Sequence, residues 1–172
     1  MSSIGSLSDV ELIQGKRIYL RLMRIADQEA YSKLYCDDVQ MQFVCAPLNQ
    51  EKANTCLKRS IALNAARQRQ HLYLSICTVD TDAVVGFCGL AQIDYRAKNV
   101  ELGVSLLAQH SKNGFAEESL WLLIQLCREL LPGFQISGIL HSDNKAAQNL
   151  VKKVGYKLVT ISSPWQLWIV ND

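Results

Sequence analysis

Several features that would point to particular classes of protein are missing from this sequence of 172 residues. No apolar run reaches the roughly 20 residues that a membrane-spanning helix needs. Lys and Arg total 18 and Asp and Glu total 16, so the net charge is only +2, whereas nucleic-acid binders are usually strongly basic. The N-terminus has no basic segment followed by an apolar stretch, which argues against a secretory signal. We therefore expect a cytoplasmic protein with neither a membrane nor a nucleic-acid partner.

A metal-binding pattern is also missing. The six cysteines are irregularly spaced without a C-x-x-C pair, and there are only three histidines, whereas a zinc site needs clustered Cys and His ligands. Most of the cysteines stand in apolar surroundings, as in "LSICTV" and "VGFCGL", which favours buried, reduced thiols. No metal site is predicted, and a catalytic cysteine has no support.

Proline and glycine are too scarce to divide the chain, with three Pro and nine Gly and no long linker or repeat. Hydrophobic residues make up 49% of the sequence, enough for a sizeable core. This length suits one compact domain. Residues 1–172 are therefore predicted to form a single domain, with residues 1–14 as a polar lead-in.

Hydrophobic periodicity predicts elements in the order βαα, βββ, αβαββ. The stretch "KRIYLRLM" alternates and predicts a first strand with a solvated basic face, and "ADQEAYSKLYCD" predicts a helix that Asp27 could cap. A long helix is predicted over "QEKANTCLKRSIALNAARQ", with a solvated face carrying Arg59, Arg67 and Arg69. We expect a mixed α/β fold of six to seven strands and about four helices.

One helix begins without an obvious cap. In "SKNGFAEESLWLLIQLCREL" the helical pattern follows a turn with a single glycine, Gly114, and no Ser, Thr, Asp or Asn stands clearly at the cap position. A helix start leaves unpaired N–H groups and about half a positive charge, and phosphates are natural ligands there. The turn is therefore either an ordinary helix entry, for which Glu117 and Glu118 suit the helix dipole, or an anion site.

Three stretches carry a resemblance to a known family: "ELGVSLL", "NGFAEESL" and "NKAAQNLVKKVGY". In this order and spacing they resemble the GNAT superfamily of N-acetyltransferases, and most of all the branch that includes the ribosomal-protein N-terminal acetyltransferases. The resemblance runs from Arg17 to Trp168. It implies a GNAT-like acyl-CoA N-acyltransferase fold, with acetyl-CoA as cosubstrate.

The resemblance also implies where acetyl-CoA would bind. The family pattern [QR]-x-x-G-x-[GA], which holds the pyrophosphate, falls on Ser111 to Ala116, although Ser111 departs from the usual Gln or Arg. Asn144 would bond the cosubstrate or a nearby water, or else only cap the following helix. The main chain of Val104, Ser105 and Leu106 would bond the pantetheine arm. The residues implied at the pyrophosphate turn are Lys112, Asn113, Gly114, Phe115, Ala116 and Glu117.

The catalytic residue that the resemblance implies is Glu101, which would take the proton of the attacking amine directly or through water. The general acid has no counterpart here, because Ala147 and Val151 stand where relatives carry Ser and Tyr. The remaining candidates for a hydroxyl donor are Tyr95, Ser105 and Tyr156.

The implied reaction is acetyl transfer from acetyl-CoA to a primary amine by direct attack in a ternary complex. An N-terminal α-amine has a pKa of about 7.7–8.0 and a lysine amine about 10.4, so one carboxylate acting as base suits a protein or peptide N-terminus best. A small-molecule amine, such as an amino sugar or a polyamine, is the enzymatic alternative. The second alternative is a non-catalytic module that binds acyl-CoA. A monomer or a homodimer is expected.

Overall fold

The computed structural model describes residues 6–170. In this range eight strands form one sheet in the order β1-β2-β3-β4-β5-β6-β8-β7. The strands are β1 (Leu12–Gln14), β2 (Ile18–Leu22), β3 (Leu72–Thr78), β4 (Val84–Asp94), β5 (Asn99–Leu106), β6 (Gln135–His141), β7 (Tyr156–Ser162) and β8 (Trp165–Val170). The helices are α1 (Gln28–Tyr35), α2 (Asp38–Met41), α3 (Gln50–Asn64), α4 (Phe115–Leu130) and α5 (Lys145–Lys153). None of these described helices is long and apolar enough to span a bilayer.

The mixed α/β fold predicted from the sequence is confirmed. Strands β1 to β5 pair antiparallel, β5 and β6 pair parallel, and β8 runs antiparallel between β6 and β7. The parallel pair is connected through α4, as the strand–helix–strand pattern predicts. Strand β1 and the four-residue helix α2 are additions that the sequence pattern did not predict.

Two hydrophobic clusters lie on opposite faces of the sheet. Adjacent residues of β4 show this directly, because Phe87 belongs to one cluster and Cys88 to the other and successive strand residues point to opposite faces. The larger cluster packs α4 and α5 against the sheet, and the smaller packs α1 and α3. The cysteines follow only partly the predicted burial: Cys45 is exposed.

The N-terminal segment is tied to the body of the protein by Arg69. Its Nη1 donates to the main-chain oxygens of Leu7 at 2.6 Å and Val10 at 3.1 Å, and its Nε donates to that of Asn64 at 2.8 Å. Arg69 is 5% exposed, and α3 ends at Asn64 instead of continuing to Gln68. The predicted solvated position of Arg69 is therefore wrong, because three carbonyl oxygens satisfy its guanidinium inside the fold.

The one basic side chain of β2, Arg21, is likewise engaged inside the fold. Arg21 pairs with the buried Asp27 at 2.7 Å, and Asp27 also accepts from Ser75 at 2.6 Å and from the Arg24 N–H at 2.8 Å. Burial raises the pKa of Asp27, but the hydrogen bonds from these donors outweigh it and lower the pKa overall. The predicted solvated basic face is wrong for Arg21, whereas the basic residues that flank β2 are exposed. Asp27 precedes α1, but its side chain makes no capping bond to that helix.

Candidate functional site

Strands β5 and β6 separate after a short parallel ladder. They pair at Asn99 with Gln135, Val100 with Ile136, and Glu101 with Ser137. Both strands then continue, and β5 stays paired with β4 as far as Leu106. Beyond Glu101, the side of β5 that faces β6 is therefore free of strand pairing within the described chain. Such an edge offers main-chain N–H and C=O groups to an extended ligand.

Helix α4 begins beside this gap with no side-chain cap from residues 6–170. Its N-cap is Gly114, in the left-handed conformation with φ of 77°. The first bond of the helix runs from the Glu118 N–H to the Gly114 oxygen at 3.1 Å, so the preceding N–H groups of the first turn have no capping side chain. A helix start of this kind is suited to an anion.

A long-range contact holds the turn before α4 in place. Oε1 of Glu118 accepts from the N–H groups of Lys16 and Arg17, both at 2.8 Å, and its Oε2 lies 3.0 Å from Arg17 Nε. Arg17 Nη1 donates to the Asn113 oxygen at 2.8 Å. The positive φ favours glycine at position 114. A Cβ there would also lie 2.9 Å from Arg17 Nη2 and would require the end of that side chain to shift.

A cleft of about 540 Å³ lies between the free part of β5 and the starts of α4 and α5. Nearly all of the predicted cosubstrate residues line it, and the exceptions are Asn113 and Phe115. The Asn113 oxygen is taken by Arg17, and the Phe115 ring faces the Arg17 guanidinium at 5.3 Å. The predicted residues that line the cleft are Val104, Ser105, Leu106, Lys112, Gly114, Ala116, Glu117 and Asn144.

The charges at this end of the cleft are mainly positive. Lys112 lines it from the turn and Lys153 from the end of α5. Lys153 Nζ lies 3.8 Å from Glu117 Oε2 at the surface, so the single acidic side chain here is partly offset. Sequence reasoning missed Lys153, which lies at the opposite end of α5 from Asn144 and yet lines the same cleft.

The start of α5 is capped, in contrast to that of α4. Asn144 Oδ1 accepts from the Ala147 N–H at 3.0 Å, which confirms the capping role considered for it. Asn144 also lines the cleft on both sides of the gap. Asn144 therefore lies at the site while its side chain caps α5.

On the other side of the gap the cleft continues as a space of about 630 Å³. The half-buried Glu101 lies there, and burial raises the pKa of its carboxyl. Three aromatic rings line the same space: the ring centroids of Phe43 and Trp165 each lie 5.3 Å from that of His141. Sequence reasoning did not single out this cluster, because Phe43 comes from the turn after α2 and the other two rings come from β6 and β8, so they share no local pattern.

The structure separates the three candidate hydroxyl donors. Tyr95 lies away from the cleft and donates to the Arg69 oxygen at 2.8 Å. Ser105 and Tyr156 both line the cleft. Ala147 and Val151 also line it, and their side chains carry no proton to donate.

This arrangement matches a known family. Residues 17–157 match the family model of the acetyltransferase (GNAT) domain. The chain belongs to the GNAT acetyltransferase family. It is 23% identical over 150 residues to the uncharacterized N-acetyltransferase YoaA of Bacillus subtilis, covering 85% of this chain and 82% of that protein.

Solved GNAT structures share the fold at low identity. An acetyltransferase from Salmonella typhimurium that modifies the N-terminal serine of ribosomal protein L7/L12 has a TM-score of 0.77 at 14% identity, covering 94% of this chain and all of that one. A chimera of spermidine N-acetyltransferase SpeG from Vibrio cholerae and hSSAT has a TM-score of 0.73 at 13% identity, covering 90% of this chain and 95% of that one. The predicted GNAT resemblance is thus confirmed, and the ribosomal-protein branch is one of several kinds of structural neighbour.

Family membership makes this protein an acetyl-CoA-dependent acyltransferase. The residues present fit that cosubstrate on three structural grounds. The start of α4 offers N–H groups to a pyrophosphate, the free edge of β5 offers main-chain groups to an amide-rich arm, and the gap after Glu101 and Ser137 lets an acyl group reach the second space.

Proposed function

We propose that this protein acetylates the N-terminal α-amine of a protein or peptide. The observation that carries the proposal is the position of Glu101, a half-buried carboxylate where the β5–β6 ladder ends. It lines the second space of the cleft, while Val104 and Ser105 of the same strand line both spaces. An acyl donor held along β5 would therefore point toward the space where Glu101 and an amine would meet.

The cosubstrate side of the cleft would act mainly through the main chain. The N–H groups at the start of α4 receive the pyrophosphate, and Lys112 adds a positive charge. The free edge of β5 at Val104, Ser105 and Leu106 receives the pantetheine arm as an added strand would be received. Acetyl-CoA, when bound, supplies the acetyl group as a thioester.

Glu101 would supply the base. Its raised pKa, caused by burial, makes the carboxylate a stronger proton acceptor than an exposed one. An α-amine needs to lose its proton at a cost of only about 1 kcal/mol at neutral pH, whereas a lysine amine costs about 4–5 kcal/mol. A single carboxylate is therefore a sufficient base for an α-amine. The amine then attacks the thioester directly, so no nucleophile from the protein is needed.

The lining of the acceptor space supports the same substrate class. Within the part of the chain that the structure describes, Glu101 is the one carboxylate lining it. A polyamine carries several positive charges, which this lining would leave mostly unpaired. Exposed apolar side chains stand there instead, including Ile139 at 48% and Trp165 at 41% exposure. These surfaces suit the apolar side chain of a peptide's first residues.

The test is a turnover assay with acetyl-CoA, followed as release of free CoA. The acceptors are peptides with free N-termini, the same peptides with blocked N-termini but a free lysine, spermidine and glucosamine. The proposal expects turnover only with the free N-termini. Preference for spermidine or glucosamine would replace it with a small-molecule function. Calorimetric binding of CoA without turnover on any acceptor would indicate a protein that binds acyl-CoA without catalysis.

A further inference from the structure

Tyr156 has a buried hydroxyl without a partner. The residue is 4% exposed, and its hydroxyl oxygen has no hydrogen-bond partner among residues 6–170. Leaving a buried hydroxyl unbonded costs about 1–3 kcal/mol, so native proteins rarely keep one without a reason. A phenylalanine would fill the same space without that cost.

The tyrosine lies at the gap between β5 and β6. It lines the cleft together with Glu101 and Gly138. A Cβ built on Gly138 would lie 3.6 Å from Tyr156 Cε1 and 3.7 Å from the Leu102 oxygen. Gly138 follows Ser137, the last residue of β6 paired with β5, so the tyrosine ring stands beside the first open position of the gap.

We propose that the Tyr156 hydroxyl donates a hydrogen bond to the thioester end of bound acetyl-CoA. The proposal rests on the cosubstrate part of the proposed function and is independent of the amine that accepts the acetyl group. It assigns the unpartnered hydroxyl to a ligand that enters the gap. It also supplies a donor where Ala147 and Val151 have none.

The chemistry of this donor differs from that of a general acid. Burial, and to a lesser extent the nearby charges of Cys127 and Glu101, raise the pKa of Tyr156 above its ordinary value. A thiol has a pKa near 8.5, so full proton transfer from this phenol to the departing thiolate is uphill. The hydroxyl instead stays protonated throughout the physiological range and acts as a fixed hydrogen-bond donor, with water left to protonate the thiolate.

The test compares Tyr156→Phe with wild type in calorimetric binding of acetyl-CoA, CoA and desulfo-CoA, which lacks the sulfur. The variant should bind acetyl-CoA about 3- to 10-fold more weakly, the range expected for one hydrogen bond, and desulfo-CoA equally well. Weaker binding of acetyl-CoA alone assigns the bond to the acyl oxygen. Weaker binding of CoA as well assigns it to the sulfur. The melting temperature should be unchanged or higher, because an unpartnered polar group is removed.

The matched control is Tyr31→Phe, which removes the hydroxyl of a tyrosine buried in the smaller cluster and should change none of the three affinities. Equal affinities of wild type and Tyr156→Phe for all three ligands, or an equal loss for all three, would overturn the inference.

Gly138→Ala gives a second test if Tyr156→Phe does not fold. Its methyl group narrows the gap beside the Tyr156 ring and should weaken acetyl-CoA binding more than desulfo-CoA binding. The opposite order would contradict the inference. Wild-type protein that binds no CoA ligand would instead overturn the cosubstrate assignment itself.

Discussion

The two ends of the cleft are built from different parts of the chain. At the α4 end, the groups offered are main-chain N–H groups behind Gly114 and the free edge of β5. At the acceptor end, the groups offered are side chains, above all Glu101 and Tyr156. Main-chain groups survive most substitutions, whereas a side chain is lost with a single one. We therefore expect the departure from the family pattern at Ser111 to leave the proposed anion site intact, whereas the proposed base Glu101 is the one carboxylate among the described residues that line its space.

The same contrast exists between the two helix starts that meet in the cleft. Asn144 caps α5 through a 3.0 Å bond to the Ala147 N–H, whereas no described side chain caps α4. The unpaired N–H groups at the start of a helix are thus capped by a side chain in α5 but not in α4. Under the proposed function, the N–H groups of α4 would receive a ligand, whereas Asn144 satisfies one at the start of α5 within the protein.

The largest effect is expected at the side-chain end, from Glu101→Gln. The amide keeps the size and loses the basicity, and loss of a general base typically lowers the rate by about a hundredfold to ten-thousandfold. Acetyl-CoA affinity should stay within about twofold of wild type. Steady-state rates across a pH series check both points. The deficit should shrink as pH rises, because the amine then deprotonates without help.

A rate close to that of wild type at pH 7 would remove Glu101 from the mechanism. A suitable control is Glu129→Gln, which makes the same change near the end of α4, away from the residues that line the cleft. It should leave both rate and affinity unaltered.

The next effect is expected at the main-chain end, from Ala116→Glu. Ala116 lines the cleft in the first turn of α4, where an acidic residue is compatible with the helix dipole, so the fold should be kept. The added carboxylate would stand close to a bound pyrophosphate. A like charge at about 4 Å costs several kcal/mol near a protein surface, so CoA affinity should fall at least about a hundredfold.

Ala116→Gln separates charge from size in this experiment. If the anion site is at α4, the neutral variant should lose far less affinity than the charged one in calorimetric titrations with CoA. Similar losses in the two variants would indicate steric blockage, and no loss in either would place the pyrophosphate elsewhere.

Local sequence patterns predicted most of the fold. The alternation in β3, β4 and β5 and the helical spacing in α4 and α5 depend on neighbours in sequence, and the structure confirms these elements. The capping role of Asn144 was also predictable, since a cap contacts a residue three positions on. Strand β1 was missed because it has only three residues, two of them exposed, and shows no clear alternation.

Contacts between distant parts of the chain were not predictable in this way. Glu118 suits the start of any helix, and nothing local shows that it also binds Lys16 and Arg17, 102 and 101 residues earlier. The sequence around Arg69 is typical of a surface position. Nothing local shows that its guanidinium donates to three main-chain oxygens, two of which lie about 60 residues earlier. The placement of Tyr156 beside Gly138 likewise depends on how β7 and β6 are arranged in the sheet.

A smaller effect, on stability, is expected from Glu118→Gln. Hydrogen bonds to a charged group contribute about 1.5–3 kcal/mol each, and the amide can replace only part of what the carboxylate accepts from Lys16 and Arg17. Unfolding free energy should fall by about 2 kcal/mol, measured by denaturant titration. CoA affinity should fall as well, because Arg17 fixes the turn through the Asn113 oxygen.

The pH dependence of this effect has a defined sign. Burial raises the pKa of Glu118, but hydrogen bonds from Arg17, Lys16 and Ile18 outweigh it, and the net shift is downward. A lowered folded-state pKa means that the contribution is complete above the unfolded value of about 4.3 and is lost as pH falls through the folded value. The stability gap between wild type and Glu118→Gln should therefore narrow below about pH 4, and a constant gap would exclude the ionised carboxylate as its cause.

The smallest effect is expected from Asn144→Ala, and it tests the contrast between the two helix starts. Losing an N-cap costs about 1 kcal/mol, which lowers the melting temperature by about 2–4 °C in a domain of this size. Asn144→Ser keeps a capping oxygen and should lose much less. If α5 is satisfied only by its own cap, saturating CoA should raise the melting temperature of Asn144→Ala as much as that of wild type. If saturating CoA instead removes the difference in melting temperature between Asn144→Ala and wild type, the ligand replaces the missing cap. The N–H groups of both helices would then belong to the anion site.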